Sequence, residues 1–343
     1  MSTPAAETVS TILPAEPTPA EAAAGLLSIR REAMIGVTLG IVSAICYTGT
    51  NIALRGVTRD GDADWALWVT CMKSLPSAIS AWVLVAVLAA RGRSCLPPAR
   101  QTVQLMMVGL FVQAGGNLLF QWSLAMCGLA LAVPTVFATL MLTGALLGRF
   151  WLGESVTVRS AVATGLLIAA IGLLSLGAEA AASALPPGPP GVSPKLWVIA
   201  GIGLAGVAGV FYGGLGVVIR RTTRQAIPLP ATLAIISSTG VLGLGVPAVL
   251  RLGTEILNSP PAEFGTMLLA GTLNAIAFFA IGGSLRRIPV VQVNLLNASQ
   301  AALCALGGVL LYPEPLTGAL VAGTGLTVVG LSLMGRAAPR RRQ

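Results

Sequence analysis

The chain has 343 residues, of which 55% are hydrophobic and 10% charged, with a formal net charge of +9 and a mean hydropathy of +0.85. A soluble domain carries about 25% charged residues, and here the shortage runs along the whole chain, so a water-soluble globular protein is excluded in favour of a membrane-embedded one. With no His and no paired spacing among the five Cys, neither a zinc site nor a disulfide framework is available. Cys46, Cys71, Cys127 and Cys304 fall in or beside apolar segments and read as small buried hydrophobes.

The first residues, MSTPAAETVSTILPAEPTPAEAAAG, lack the basic start and early apolar core of a secretory signal. Their Pro, Ala, Thr and Glu content predicts a disordered tail over 1–30. A helix needs about 20 apolar residues to cross the hydrocarbon. Ten stretches meet this: 34–54, 65–90, 102–125, 129–149, 157–177, 196–219, 231–250, 264–285, 289–311 and 316–335. A Pro- and Gly-rich linker, 178–195, contains LPPGPPG and is expected to have no fold of its own. It separates one five-helix unit, 34–177, from a second, 196–335, and a basic tail follows at 336–343.

With the N-terminus placed in the cytoplasm, Arg55, Arg59, Lys195 and Arg251 fall outside, Lys73 in the membrane, and the other sixteen of the 21 basic residues inside. The positive-inside rule then puts both termini in the cytoplasm. The positive charge is therefore topology, and no nucleic-acid partner follows from it. Ala-, Gly- and Arg-rich usage with this orientation points to a bacterial inner membrane.

The two units match in sequence. CYTGTNIALR (46–55) aligns with FYGGLGVVIR (211–220), so Tyr47 meets Tyr212 and Arg55 meets Arg220. LGESVTVRSAVATGL (152–166) aligns with YPEPLTGALVAGTGL (312–326), so Glu154 meets Glu314 and a shared TGL recurs at the same offset of 160. Each unit has an odd number of helices, so the second enters from the opposite side. The expected fold is therefore an all-α polytopic membrane protein whose ten transmembrane helices form two inverted five-helix repeats. Secondary transporters are built this way, with the substrate near the midplane.

Five plus five helices, an LGE-type turn before the last helix of each unit, and a basic residue early in the second helix together resemble the drug/metabolite transporter superfamily, EamA-type. The resemblance covers about 34–335 and implies a transporter of small molecules. Two positions depart from it. The family often has a proline about thirteen residues before each glutamate, where this chain has Met141 and Ala301, and its second helix commonly carries Arg where this one has Lys73.

Lys73 is the one ionisable group in the core of any predicted span, which makes it a functional candidate by default. Three readings are open: contact with a substrate carboxylate or phosphate, a tether to carbonyls or neutral polar groups, or snorkelling to the outer interface. In QAGGNLLFQ, Gln113, Asn117 and Gln121 recur at i, i+4 and i+8 as one polar stripe. Such amides line a polar cavity or act as interhelical glue worth about 0.6–2 kcal/mol each. Asn274, Asn294 and Asn297 on the eighth and ninth spans add to the same inventory, as do Asn51 and the matched Tyr47 and Tyr212 on the first span of each unit. Glu154 and Glu314 stand just before the last span of each unit and read as structural, favouring the unsatisfied N–H groups and positive dipole of a helix start.

Asp60, Asp62 and Asp64 mimic the start of a calcium loop. Trp65 stands where Gly is needed, however, and Cys71 where the bidentate Glu is needed, so a solvated outside loop is expected. No GxxxxGK[ST] is present for ATP, and no cofactor or metal is expected. Without intramembrane Asp, Glu or His there is no usual proton relay, which favours export or exchange of a metabolite by alternating access. An enzyme would need nucleophile, base or metal-ligand clusters that are missing from these helices. A lipid flippase of the same fold is the rival reading, with Lys73 on a lipid phosphate. Partners are thus a small-molecule substrate and the bilayer, with a homodimer a further option through glycine-rich faces such as GALLG (144–148).

Overall fold

Uncharged runs of Leu, Ala, Val and Gly can satisfy their backbone groups in an apolar medium only by coiling into helices or closing into barrels. In a computed structural model of the chain, which describes residues 19–59, 61–93, 96–152, 158–185, 188–224, 227–288 and 290–335, helices account for all regular structure and no strand occurs among the described residues. They are α1 Pro19–Gly56, α2 Ala63–Ala90, α3 Ala99–Phe111, α4 Leu119–Leu152, α5 Val158–Leu176, α6 Ala178–Ala184, α7 Pro194–Arg224, α8 Leu229–Leu252, α9 Pro261–Leu285, α10 Val290–Leu311 and α11 Gly318–Gly335. A π-helical stretch, Val112–Leu118, runs directly from α3 into α4.

Among the described residues six stretches are long and apolar enough to cross a bilayer: Arg30–Gly56, Ala63–Ala90, Ala99–Gly144, Pro194–Ile219, Leu229–Ile256 and Pro261–Leu285. Ala161–Leu176, Ser299–Leu311 and Gly318–Gly330 are apolar but shorter. Large apolar side chains cover the outer surface. On α8, Leu242, Val246 and Leu250 are exposed at helical spacing, a face that water would reject and lipid accepts. The protein is an integral membrane protein.

Two boundaries differ from expectation. The first helix begins at Pro19, within the segment expected to be a disordered tail, because Pro is pre-organised for a helix start and PAEAAAG is otherwise dominated by the best helix former. Seven residues of the expected structureless linker, AEAAASA, form α6 for the same reason. The third and fourth predicted spans lie in one apolar run, Ala99–Gly144, which a kink at Gly128, with φ 76° and ψ 175°, divides at the expected boundary.

The tightest packing joins the first half of the chain to the second. α1 lies on α9 and α10, α2 on α8 and α9, α3 on α8, α4 on α7 and α10, and α5 on α11. At the α4–α7 contact a Cβ on Gly213 would sit 2.6 Å from the Leu140 carbonyl oxygen. Small residues let backbones approach this closely where no hydrophobic force separates helix from lipid. Leu124, Leu129 and Val133 are fully buried along the middle of the α4 segment.

The loop before α2 is held by a helix cap and ion pairs. Asp62 caps α2 by accepting from the Trp65 backbone N–H at 2.8 Å, and Asp64 takes Arg251 at 2.9 Å. Asp60 lies outside the described residues. Arg59 stacks 3.4 Å above the Trp65 ring and bridges Glu255 and Glu263.

Candidate functional site

Lys73 lies on α2, among Thr70, Cys71, Met72 and Ser74, all buried. It is only 8% exposed. Its Nζ donates to Asn117 Oδ1 at 2.7 Å, and the same oxygen accepts the Tyr212 hydroxyl at 2.7 Å. Asn117 Nδ2 donates to Gln113 Oε1 at 2.7 Å, and Gln113 Nε2 donates to the Ile236 carbonyl at 3.2 Å. Ser74 Oγ donates to Gln113 Oε1 at 3.4 Å. The chain of bonds therefore runs from α2 through the π-helical stretch to α7 and α8, across both halves of the molecule. Among the described residues no carboxylate pairs with Lys73.

Gln113 and Asn117 of this cluster lie on the π-helical stretch. A π turn is wider than an α turn and is found at functional sites. Here it keeps Gln113 beside Asn117 while α7 presses against it. Gly116 makes room: a Cβ there would stand 3.0 Å from the Tyr212 ring. Phe120 closes the cluster, its ring edge-on to Tyr212 at 6.5 Å between centroids and 5.9 Å from Lys73 Nζ.

The other predicted residues are divided among neighbouring contacts. Asn274 Nδ2 donates to Ser77 Oγ at 3.1 Å, one turn along α2 from Lys73. Tyr47 is partly buried on α1. Gln121 leaves the predicted stripe, because beyond the wider turn it points at α1 and donates to the Leu54 carbonyl at 3.3 Å. Asn51 meets Cys304 Sγ at 3.8 Å. Asn297 is buried, accepting from Gln300 Nε2 at 2.6 Å and Ser43 Oγ at 3.4 Å, so it ties α10 to α1. The side chain of Asn294, and Glu154 as a whole, lie outside the described residues.

Glu314 serves a helix start other than that of α11. Its two oxygens accept the backbone N–H groups of Leu129 and Ala130 at 2.7 Å each, just past the Gly128 kink, and Oε1 also takes Arg55 Nε at 3.2 Å. α11 is capped instead by Thr317, whose hydroxyl accepts from Leu320 N–H at 3.0 Å. Sequence reasoning placed Arg55 among the outside loop charges and missed this pairing. The one signal for it is Gly128, a glycine at the junction of two apolar runs.

Amides, a lone ammonium and a phenol, joined across the halves of a helical membrane protein, are groups able to hold a polar solute. Residues 199–336 match the EamA-like transporter family. No curated protein sequence matches the chain. A solved crystal structure with 18% identity covers 87% of this chain and 95% of its own, with a TM-score of 0.54. At that identity the likeness is one of fold.

Proposed function

We propose that the protein is a secondary transporter that moves a small polar metabolite across the cytoplasmic membrane. It exports or exchanges its substrate by alternating access between two inverted five-helix repeats, α1–α5 and α7–α11, with both termini in the cytoplasm. The helix pairing supports the repeat. α2 on α8 and α5 on α11 are self-matching pairs, while α1 on α10 and α4 on α7 exchange when the halves are swapped. A site made by both halves is reshaped whenever one half rocks against the other, as alternating access requires.

One observation carries the reading: Lys73 from the first half and Tyr212 from the second both donate to Asn117 Oδ1 at 2.7 Å. A buried polar cluster of this kind is costly in lipid unless it has work to do. The test is efflux from proteoliposomes loaded with a mixed metabolite extract, followed by mass spectrometry, with the native protein beside Lys73→Ala. Export of a defined set of solutes by the native protein, reduced in the variant, is the expected result. Native protein that releases nothing soluble would overturn the proposal.

A further inference from the structure

We propose that Lys73, Asn117 and Tyr212 form the binding site for the carboxylate of a small monocarboxylic acid, a claim that rests on the transport reading only for the passage of that acid across the membrane. An ammonium has three donors and no acceptor, and Lys73 is nine-tenths buried with a single neutral acceptor among the described residues. That acceptor is already shared with the Tyr212 hydroxyl. A buried charge without a counter-charge is an unfavourable arrangement that an incoming anion relieves.

The geometry names the anion. Two donors, one charged and one neutral, converge on one oxygen at 2.7 Å each. Asn117 Oδ1 thus occupies the place a carboxylate oxygen would take, and such an oxygen keeps both donors, gives the ammonium a counter-charge and makes the Tyr212 bond charge-assisted, roughly twice as strong as a neutral one. Asn117 Nδ2, already a donor, remains available on the same side chain.

Other charge types fit less well. A phosphate monoester carries more negative charge than one ammonium offsets, and no second cation bonds to these three side chains among the described residues. An amine would meet the like charge of Lys73 with no carboxylate to receive it. Phe120, edge-on to Tyr212, offers an apolar wall, so the remainder of the acid is uncharged.

The experiment measures binding alone, by thermal unfolding of the purified full chain in detergent at constant ionic strength. Hexanoate, benzoate and pyruvate are compared with their primary amides, with hexylamine and with phenyl phosphate. The expected result is stabilisation by at least one carboxylate and none by its amide. Affinity should fall about 10- to 100-fold in Lys73→Met, the effect of one charged hydrogen bond, and be largely kept in Lys73→Arg. Equal shifts from acid and amide in the native protein, stronger shifts from the phosphate or the amine, or full retention in Lys73→Met would each overturn the proposal. The native acid–amide comparison decides the matter even if Lys73→Met does not fold. Efflux of solutes with no carboxylate binding would sink this inference and leave transport standing; carboxylate binding with no efflux would do the reverse.

Discussion

Arg55 Nε and Glu314 Oε1 meet at 3.2 Å across 259 residues of sequence, and the same carboxylate accepts two backbone N–H groups at the start of another helix segment. Arg55 and Glu314 expose only 10% and 4% of their side chains. The last turn of α1, the α10–α11 turn and the kink at Gly128 are therefore tied at one point. Tyr312 adds to it, donating its hydroxyl to the Ile52 carbonyl at 2.6 Å. A carboxylate at a helix start gains from the dipole and from N–H groups that have no partner within the helix.

Removing one partner of such a pair strands the other. Glu314→Gln is expected to lower stability by about 3–5 kcal/mol, the usual cost of breaking a buried pair. The partly exposed pair Arg251–Asp64, at 2.9 Å, should couple by no more than about 1 kcal/mol. Double-mutant cycles on both pairs, read by denaturant unfolding in detergent, would compare them. Equal coupling energies would refute the ranking.

Gly128 is the hinge of the same junction. Its φ of 76° with ψ of 175° is a conformation reserved for glycine, costing a residue with a Cβ about 1–3 kcal/mol, and a Cβ there would also come within 2.6 Å of Glu314 Oε1. Gly128→Ala should therefore lower the unfolding midpoint, and adding Glu314→Gln should cost less than it does alone, since the contact is already displaced. Strict additivity of the two changes would show that they act on separate structures.

Much of the site was visible in the sequence for a simple reason. In apolar helices any polar side chain stands out, so Lys73, Gln113, Asn117 and Tyr212 could be picked out without coordinates, and the structure brings them together. Gln121 could not be placed correctly, because a stripe drawn at 3.6 residues per turn ignores the π-helical widening at Val112–Leu118. Arg55 and Glu314 were invisible as a pair, since charges near span ends are read for topology and no periodicity links positions so far apart. Hydropathy likewise located the helices well but missed the start at Pro19 and the short α6, which follow from alanine's propensity and not from burial.

Tyr212→Phe removes one of the two donors on Asn117 Oδ1 and nothing else. A neutral hydrogen bond is worth about 0.5–1.5 kcal/mol, so, on the proposed transport function, the apparent KM for the solute should rise about 2- to 12-fold with little change in the maximal rate. Uptake or efflux kinetics in proteoliposomes would measure both. A fall in rate at unchanged KM would instead assign the hydroxyl to the conformational step.

The proposed topology can be tested at exposed residues near the two ends of the helices. Asn258 is exposed after α8, near Arg59 and Glu255, and Arg91 is exposed at the end of α2. In a background without native cysteines, Asn258→Cys should react with a membrane-impermeant thiol reagent applied to intact cells, and Arg91→Cys only after the cells are opened. The reverse pattern would turn the molecule over in the membrane and reverse the assignment of the Arg55–Glu314 contact to the outer side.

Asn117→Asp offers the sharpest separation of stability from function. A carboxylate at that position neutralises Lys73 from within, replacing the neutral acceptor now held at 2.7 Å by an anionic one. Paired buried charges with good geometry are tolerated where single ones are not, so the variant should unfold at the native temperature or above it. Export should nevertheless be lost, because the acceptor that a substrate would supply is then permanently present. Measured side by side, an unfolding midpoint at or above native together with abolished efflux is the expected outcome. Native efflux in a stably folded Asn117→Asp would mean that Lys73 needs no substrate charge, and that its bond to Asn117 only ties α2 to the π-helical stretch.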